Sequence, residues 1–136
     1  MSPKIFSNAQ DNNIEVPVLI EGIETERGGE LLVMLFRRDG FPTKHDRALS
    51  IRRLPANTKT VRVSVPIPAE GEEFAIKILH DQDRNGKVTK NFIGIPAEGL
   101  GFSNGAVLNF GPPKFKAARI ARADAGKVQR IRLQYL

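Results

Sequence analysis

The tightest constraint on this chain is an alternation of period two. Val61, Val63, Val65 and Ile67 are separated by Arg62, Ser64 and Pro66. Successive side chains of a strand point to opposite faces, so this run has one apolar face and one solvated face. The rhythm returns where Phe74, Ile76 and Ile78 alternate with Ala75, Lys77 and Leu79 before His80. It returns again where Ile131, Leu133 and Tyr135 alternate with Arg130, Arg132 and Gln134. Residues 14–21 form a β-branched run whose Pro17 suggests an edge strand or a bulge. Residues 31–36 are continuously apolar and read as a central strand buried on both faces. Residues 48–54 read as a short strand ending at Pro55, and residues 115–121 as a weaker one. No window of a dozen residues carries a stripe of period 3.6. Seven short strands with turn chemistry between them predict an all-β, antiparallel sandwich.

Residues 1–13 are polar and unpatterned and read as a flexible N-terminal arm, leaving 14–136 as a single sandwich domain. The chain has no cysteine, which excludes disulfides, thiolate metal sites and cysteine nucleophiles. Its two histidines, His45 and His80, are too few for a multi-histidine zinc centre. No apolar run approaches the length of a transmembrane helix. From Lys114 to the C-terminus there are seven bases and one acid, which accounts for the whole net charge of +6. No aromatic residues interleave with those bases as stacking platforms, so they read as a solvated sheet face and nucleic acid is a disfavoured partner.

Residues 81–114 break the strand pattern. They are rich in Gly, Pro and Asn, and a connection of this length inside a compact domain is often functional. Its apolar residues, with Phe92, Phe102 and Phe110 as anchors, predict that it packs down as one long ordered loop. Three motifs lie in or beside it. Asp81-Gln82-Asp83-Arg84-Asn85-Gly86-Lys87 has the D-x-D-x-N-G spacing that opens a calcium loop. Asp81, Asp83, Asn85, the carbonyl of Lys87 and the weak ligand Thr89 would hold the ion, but Phe92 stands where a bidentate glutamate belongs. An Asx-rich turn explains the same residues. Gly101-Phe102-Ser103-Asn104-Gly105 fits a nucleophile elbow, yet no helix pattern follows it, and nothing places His45 or His80 beside Ser103. The dipeptides His45-Asp46 and His80-Asp81 read as histidines hydrogen-bonded near strand ends.

The runs from His80 to Lys87, Asn91 to Gly99, Gly101 to Asn104 and Phe110-Gly111-Pro112-Pro113-x-Phe115, with the earlier Gly40-Phe41-Pro42, resemble the DUF2141 family of small bacterial proteins. The resemblance covers residues 14–136. It implies a transthyretin-like or immunoglobulin-like sandwich and a periplasmic or secreted setting, and it supplies no catalytic residues. This chain departs from the family at Thr89, often an aspartate there, and at the basic Lys116-Ala117-Ala118-Arg119, where relatives tend to be acidic.

The expected function is that of a non-enzymatic, extracytoplasmic binding or accessory module. The loop 81–114 would be its recognition surface for a protein, glycan or small ligand, with Asn91, Glu98, Ser103 and Asn104 presenting polar groups. Exposed backbone at Gly94, Gly99, Gly101 and Gly105 would let a ligand approach closely. The alternatives are a calcium-stabilised domain and a hydrolase using His80, Asp81 or Ser103.

Overall fold

A computed structural model of the chain describes residues 14–82 and 98–135. Among the described residues there are eight strands. They are β1 (Ile14–Glu21), β2 (Glu30–Phe36), β3 (Ser50–Pro55), β4 (Val61–Ile67), β5 (Glu73–Asp81), β6 (Leu100–Phe102), β7 (Ile120–Ala121) and β8 (Gln129–Arg132). One short helix, α1 (Phe115–Ala118), precedes β7. The first sheet has the order β4-β1-β8, the second β3-β2-β5-β6, and β7 pairs with the start of β5. The protein is an all-β sandwich.

The alternation read in the sequence builds the core between the sheets. Val63, Val65 and Ile67 of β4 and Val16, Val18 and Ile20 of β1 meet Leu31, Val33 and Leu35 of β2 and Phe74, Ile76 and Ile78 of β5. The register pairs Val63 with Val18 and Ile78 with Val33. β2 is buried on both faces, because Leu32, Met34 and Phe36 enter a second core on the outer face of the second sheet. That core is roofed by Phe41 and by Leu100, Phe102, Phe115 and Ala118. The Phe41 ring makes edge contacts with Phe36, Phe102 and Phe115 at centroid distances of 5.6, 6.1 and 5.9 Å.

The structure corrects several expectations. The sandwich is not wholly antiparallel: β8 runs parallel to β1, with Val18 opposite Gln129 and Glu21 opposite Arg132. Parallel neighbours need a long crossover, and here the whole second sheet lies in sequence between the two strands. Pro17 is not on an edge strand, since β1 is central. Among the described residues, β8 pairs with β1 only from Val18 onward, so no described strand flanks Pro17 on that side. The strand expected over 115–121 is instead α1 followed by the two residues of β7. Phe115 and Ala118, three apart, bury one helical face, a spacing that period-two reading cannot detect. Strand β6 lies inside the expected long loop and was hidden by its brevity and by Gly101. The arm 1–13 and the stretch 83–97 lie outside the described residues.

Candidate functional site

The C-terminal end of β5 gathers most of the buried polar chemistry. His80 faces the inter-sheet core and has no exposed surface. Its Nε2 lies 2.6 Å from the carbonyl oxygen of Gly28 and its Nδ1 2.7 Å from the Tyr135 hydroxyl. A carbonyl can only accept, so Nε2 carries the hydrogen, and in the neutral ring Nδ1 then accepts from Tyr135. The Tyr135 oxygen in turn accepts the Glu24 N–H at 3.0 Å. Burial pushes the Tyr135 phenol above its usual value of 10.0. The Arg27 guanidinium sits 4.7 Å over the Tyr135 ring. Gly99 makes room for that ring: a Cβ there would stand 2.5 Å from Cε2 of Tyr135.

On the opposite face of β5, Asp81 is fully buried and lies in register with Glu30 of β2. The β5–β6 register continues through the His80 N–H, which donates to the Gly99 carbonyl at 2.9 Å, and this sets Glu98 across from Asp81. Glu98 is 3% exposed, and its Oε2 accepts the Gln82 N–H at 2.7 Å. Glu30 is ion-paired to Arg53. Carboxylate positions therefore run in a row from Glu30 on β2 through Asp81 on β5 to Glu98, two residues before β6, and Asp81 and Glu98 flank the stretch 83–97. Among the described residues, no group of three or more His, Cys, Asp or Glu side chains is arranged to hold a metal ion. Of the predicted calcium ligands only Asp81 is described. Asp83, Asn85, Lys87 and Thr89 lie outside the described residues.

Ser103 is a structural residue. It has no exposed surface, its Oγ accepts the Ile76 N–H at 2.9 Å and donates to the Ala118 carbonyl at 2.5 Å. It therefore ties β5 to α1, and its hydroxyl does not face solvent. Ile76 and His80 are four residues apart on β5, roughly 13 Å along the strand, so the geometry does not bring Ser103 to His80. His45 is engaged elsewhere, with its Nε2 2.9 Å from Nζ of Lys77. Lys77, which the sequence reading did not single out, is 3% exposed and also donates to the Pro42 carbonyl at 2.8 Å. A lysine on the apolar-looking face of a strand was the available signal.

The expectation that Glu98 and Ser103 present polar groups to solvent is corrected by their burial. Both are held by backbone partners distant in sequence. Asn104 is exposed and adopts a left-handed backbone with φ 57°. Its N–H donates to Oε1 of Gln129 and its Nδ2 to the Ala117 carbonyl. With Glu73, Arg119, Asp124 and Gln129 it lines a cleft of about 290 Å³. Asn91 lies outside the described residues. The glycines expected to admit a ligand are approached by the chain itself: a Cβ on Gly101 would stand 2.6 Å from Cγ2 of Ile131. Among the described residues, none comes within 4 Å of a Cβ placed on Gly105.

Phe110 reverses the anchor expectation. Phe102 is buried, but Phe110 is 106% exposed and holds φ at 57°. A left-handed backbone is strained for a bulky side chain. The turn around it is closed by the Asn109 N–H donating to the Gly111 carbonyl at 3.0 Å. Val107, three residues earlier, is 54% exposed. The segment is secured behind Phe110 by Leu108, whose N–H donates to Oε1 of Gln134 at 2.8 Å.

Residues 18–130 match the model of a family described as an uncharacterized protein conserved in bacteria, DUF2141. No curated protein and no solved structure matches the chain. The family model takes in β2 to β7 whole and half each of β1 and β8, with the buried His80–Asp81 end of β5 and the 104–114 segment inside it. The chain belongs to the DUF2141 family.

Proposed function

We propose that the protein is a non-enzymatic binding module working outside the cytoplasm, and that its recognition surface is the segment 104–114 with the cleft beside Asn104. The observation that carries this reading is Phe110. A fully exposed phenylalanine contributes nothing to the core, and the left-handed backbone beneath it is unfavourable for the chain. A ring held outward on a strained turn is suited to insert into a partner's apolar pocket, as interface anchors do. The burial of Ser103 and its separation from His80 support the non-enzymatic part of the reading. The extracytoplasmic setting is supported by the family resemblance and is tested by fractionating the producing bacterium.

The binding test pairs the parent protein with Phe110→Ala. Both are immobilised and exposed to an envelope extract and a glycan array. The expected result is a partner retained by the parent and lost by the variant at an unchanged melting temperature. Equal retention by both proteins overturns the role of Phe110.

A second reading, calcium ordering of the connection 83–97, is favoured by the two buried carboxylates Asp81 and Glu98 at its ends. An ion there would take Asp81 with oxygens of the D-x-D-x-N-G motif, with affinity no better than about 10⁻⁴ to 10⁻³ M without the twelfth-position glutamate. Calcium at a few millimolar then raises the melting temperature of the parent and not of Asp81→Asn. Identical melts with and without calcium overturn it.

A further inference from the structure

We propose that β3 is an acceptor edge to which an extended acidic peptide adds as an antiparallel strand. β3 is an end strand of the second sheet, paired to β2 on one side from Ser50 to Pro55. No described strand pairs with its other side. Alternate N–H and C=O groups along that flank are therefore turned outward. The strand is open on its faces as well: five of its six residues are exposed. Ile51 of the strand is 46% exposed, and Leu49, in the bend just before it, is 42% exposed.

The remaining sheet edges are less suited to the role. β4 carries Pro66, which has no N–H to offer. β6 is bridged by Gln134, whose N–H and carbonyl both bond to Leu100. β8 has four residues and β7 two. Among the described edge strands, only β3 combines six residues, no interior proline and an exposed apolar side chain, Ile51.

Charge selects the occupant. Residues 44–59 hold five bases (Lys44, Arg47, Arg52, Arg53, Lys59) and one acid, Asp46. Arg53 is 58% exposed although it pairs with Glu30, and Arg52 uses one of its donors on the Ser64 carbonyl of β4. A second copy is a poor occupant. Antiparallel self-pairing over the full strand sets Arg52 opposite Arg53 of the other copy, and like charges directly opposite destabilise a sheet. The same arginines favour a strand with carboxylates at those positions and β-branched residues opposite Ile51 and Leu49. Main-chain bonds would supply the affinity and alternate side chains the specificity. This edge is opposite β6 in the sheet and shares no residue with the Phe110 segment, so the proposal stands or falls apart from the reading above.

The test uses the full chain and three labelled hexapeptides: Thr-Glu-Glu-Val-Thr-Val, the same peptide with both Glu replaced by Lys, and the acidic peptide N-methylated at alternate amides. Binding is followed by fluorescence anisotropy up to about 1 mM peptide. Amide spectra of the protein locate the site. The acidic peptide is expected to bind at least about tenfold more tightly than the basic one, less so as salt rises. The amides of residues 49–54 should shift, and the N-methylated peptide should bind at least about tenfold more weakly. Arg53→Glu should remove the preference, but it also places a second carboxylate beside Glu30. Ile51→Asp, on an exposed face, therefore serves as the second variant and should weaken acidic-peptide binding at an unchanged melting temperature. The proposal is overturned by no binding of the acidic peptide, by equal binding of acidic and basic peptides, by equal binding of the N-methylated one, or by shifts that bypass β3.

Discussion

The Tyr135 hydroxyl lies 2.7 Å from Nδ1 of His80, and this contact fastens the end of the chain to the far end of β5. The residues leading to it change sheets. The Leu133 N–H donates to the Glu21 carbonyl in the first sheet, and Gln134 bridges Leu100 in the second. Three consecutive residues thus stitch the two layers, with an interior hydrogen-bonded histidine as the last stitch.

Replacing Tyr135 by Phe removes the donor to His80 and the acceptor for the Glu24 N–H. The expected loss is about 1–3 kcal/mol at neutral pH, read by urea denaturation. The phenol's raised pKa adds a signature in alkali. The contribution of a group raised in the folded state is complete below its unfolded value, here 10.0, and falls away as pH rises toward the folded value. The parent should therefore lose stability more steeply above pH 10 than Tyr135→Phe does. Parallel curves would show that the phenol is not desolvated.

Ser103→Ala is expected to destabilise by about 1–3 kcal/mol, because it leaves the buried Ile76 N–H and Ala118 carbonyl without their shared partner. Asn104→Gly should cost little, since glycine suits a φ of 57°, the bond to Gln129 comes from the backbone, and the bond lost from Nδ2 to the Ala117 carbonyl is exposed to water. Thermal melts of the two variants, adjacent in sequence, separate a buried clamp from a surface turn. Similar melting temperatures would contradict the burial of Ser103.

Phe110→Gly tests the strain at the exposed turn. The ring buries nothing, and glycine accepts the left-handed backbone, so stability should rise by about 0.5–1 kcal/mol. A fall in the urea midpoint would mean that the ring packs against the domain in solution.

Gly101→Ala probes the packing of β6 against β8 and the residue after it. The added Cβ would stand 2.6 Å from Cγ2 of Ile131 and 3.1 Å from Cδ2 of Leu133. Both neighbours are buried, so relief requires movement of the strands, and a loss of about 1–3 kcal/mol is expected. An unchanged melt would show that the two layers have slack at this point.

The strands that carry the inter-sheet core were legible in the amino-acid order, because alternation is a local property and each face needs only its own residues to declare itself. Val61 to Ile67 and Phe74 to His80 could be placed on strands, and residues 31–36 on a doubly buried one, without knowledge of their neighbours. The family was likewise legible, since its motifs are contiguous runs. The site was less so. Whether Ser103 or Glu98 faces water depends on backbone groups at Ile76, Ala118 and Gln82, brought near by strand pairing. Phe102 and Phe110 look alike as apolar loop residues, and only the path of the chain puts one under the roof and the other in solvent.

The sequence by itself determined an all-β sandwich, its central strand, its cysteine-free chemistry and its family. The tertiary structure alone decided the parallel docking of β8 on β1, the contact of the buried His80 with the half-buried Tyr135, and which edge no described strand pairs with. The physical reason is range. Periodicity and turn chemistry act within a few residues, whereas pairing partners, burial and edge exposure are set by contacts between segments far apart in the chain, and those contacts exist only once both sheets have formed.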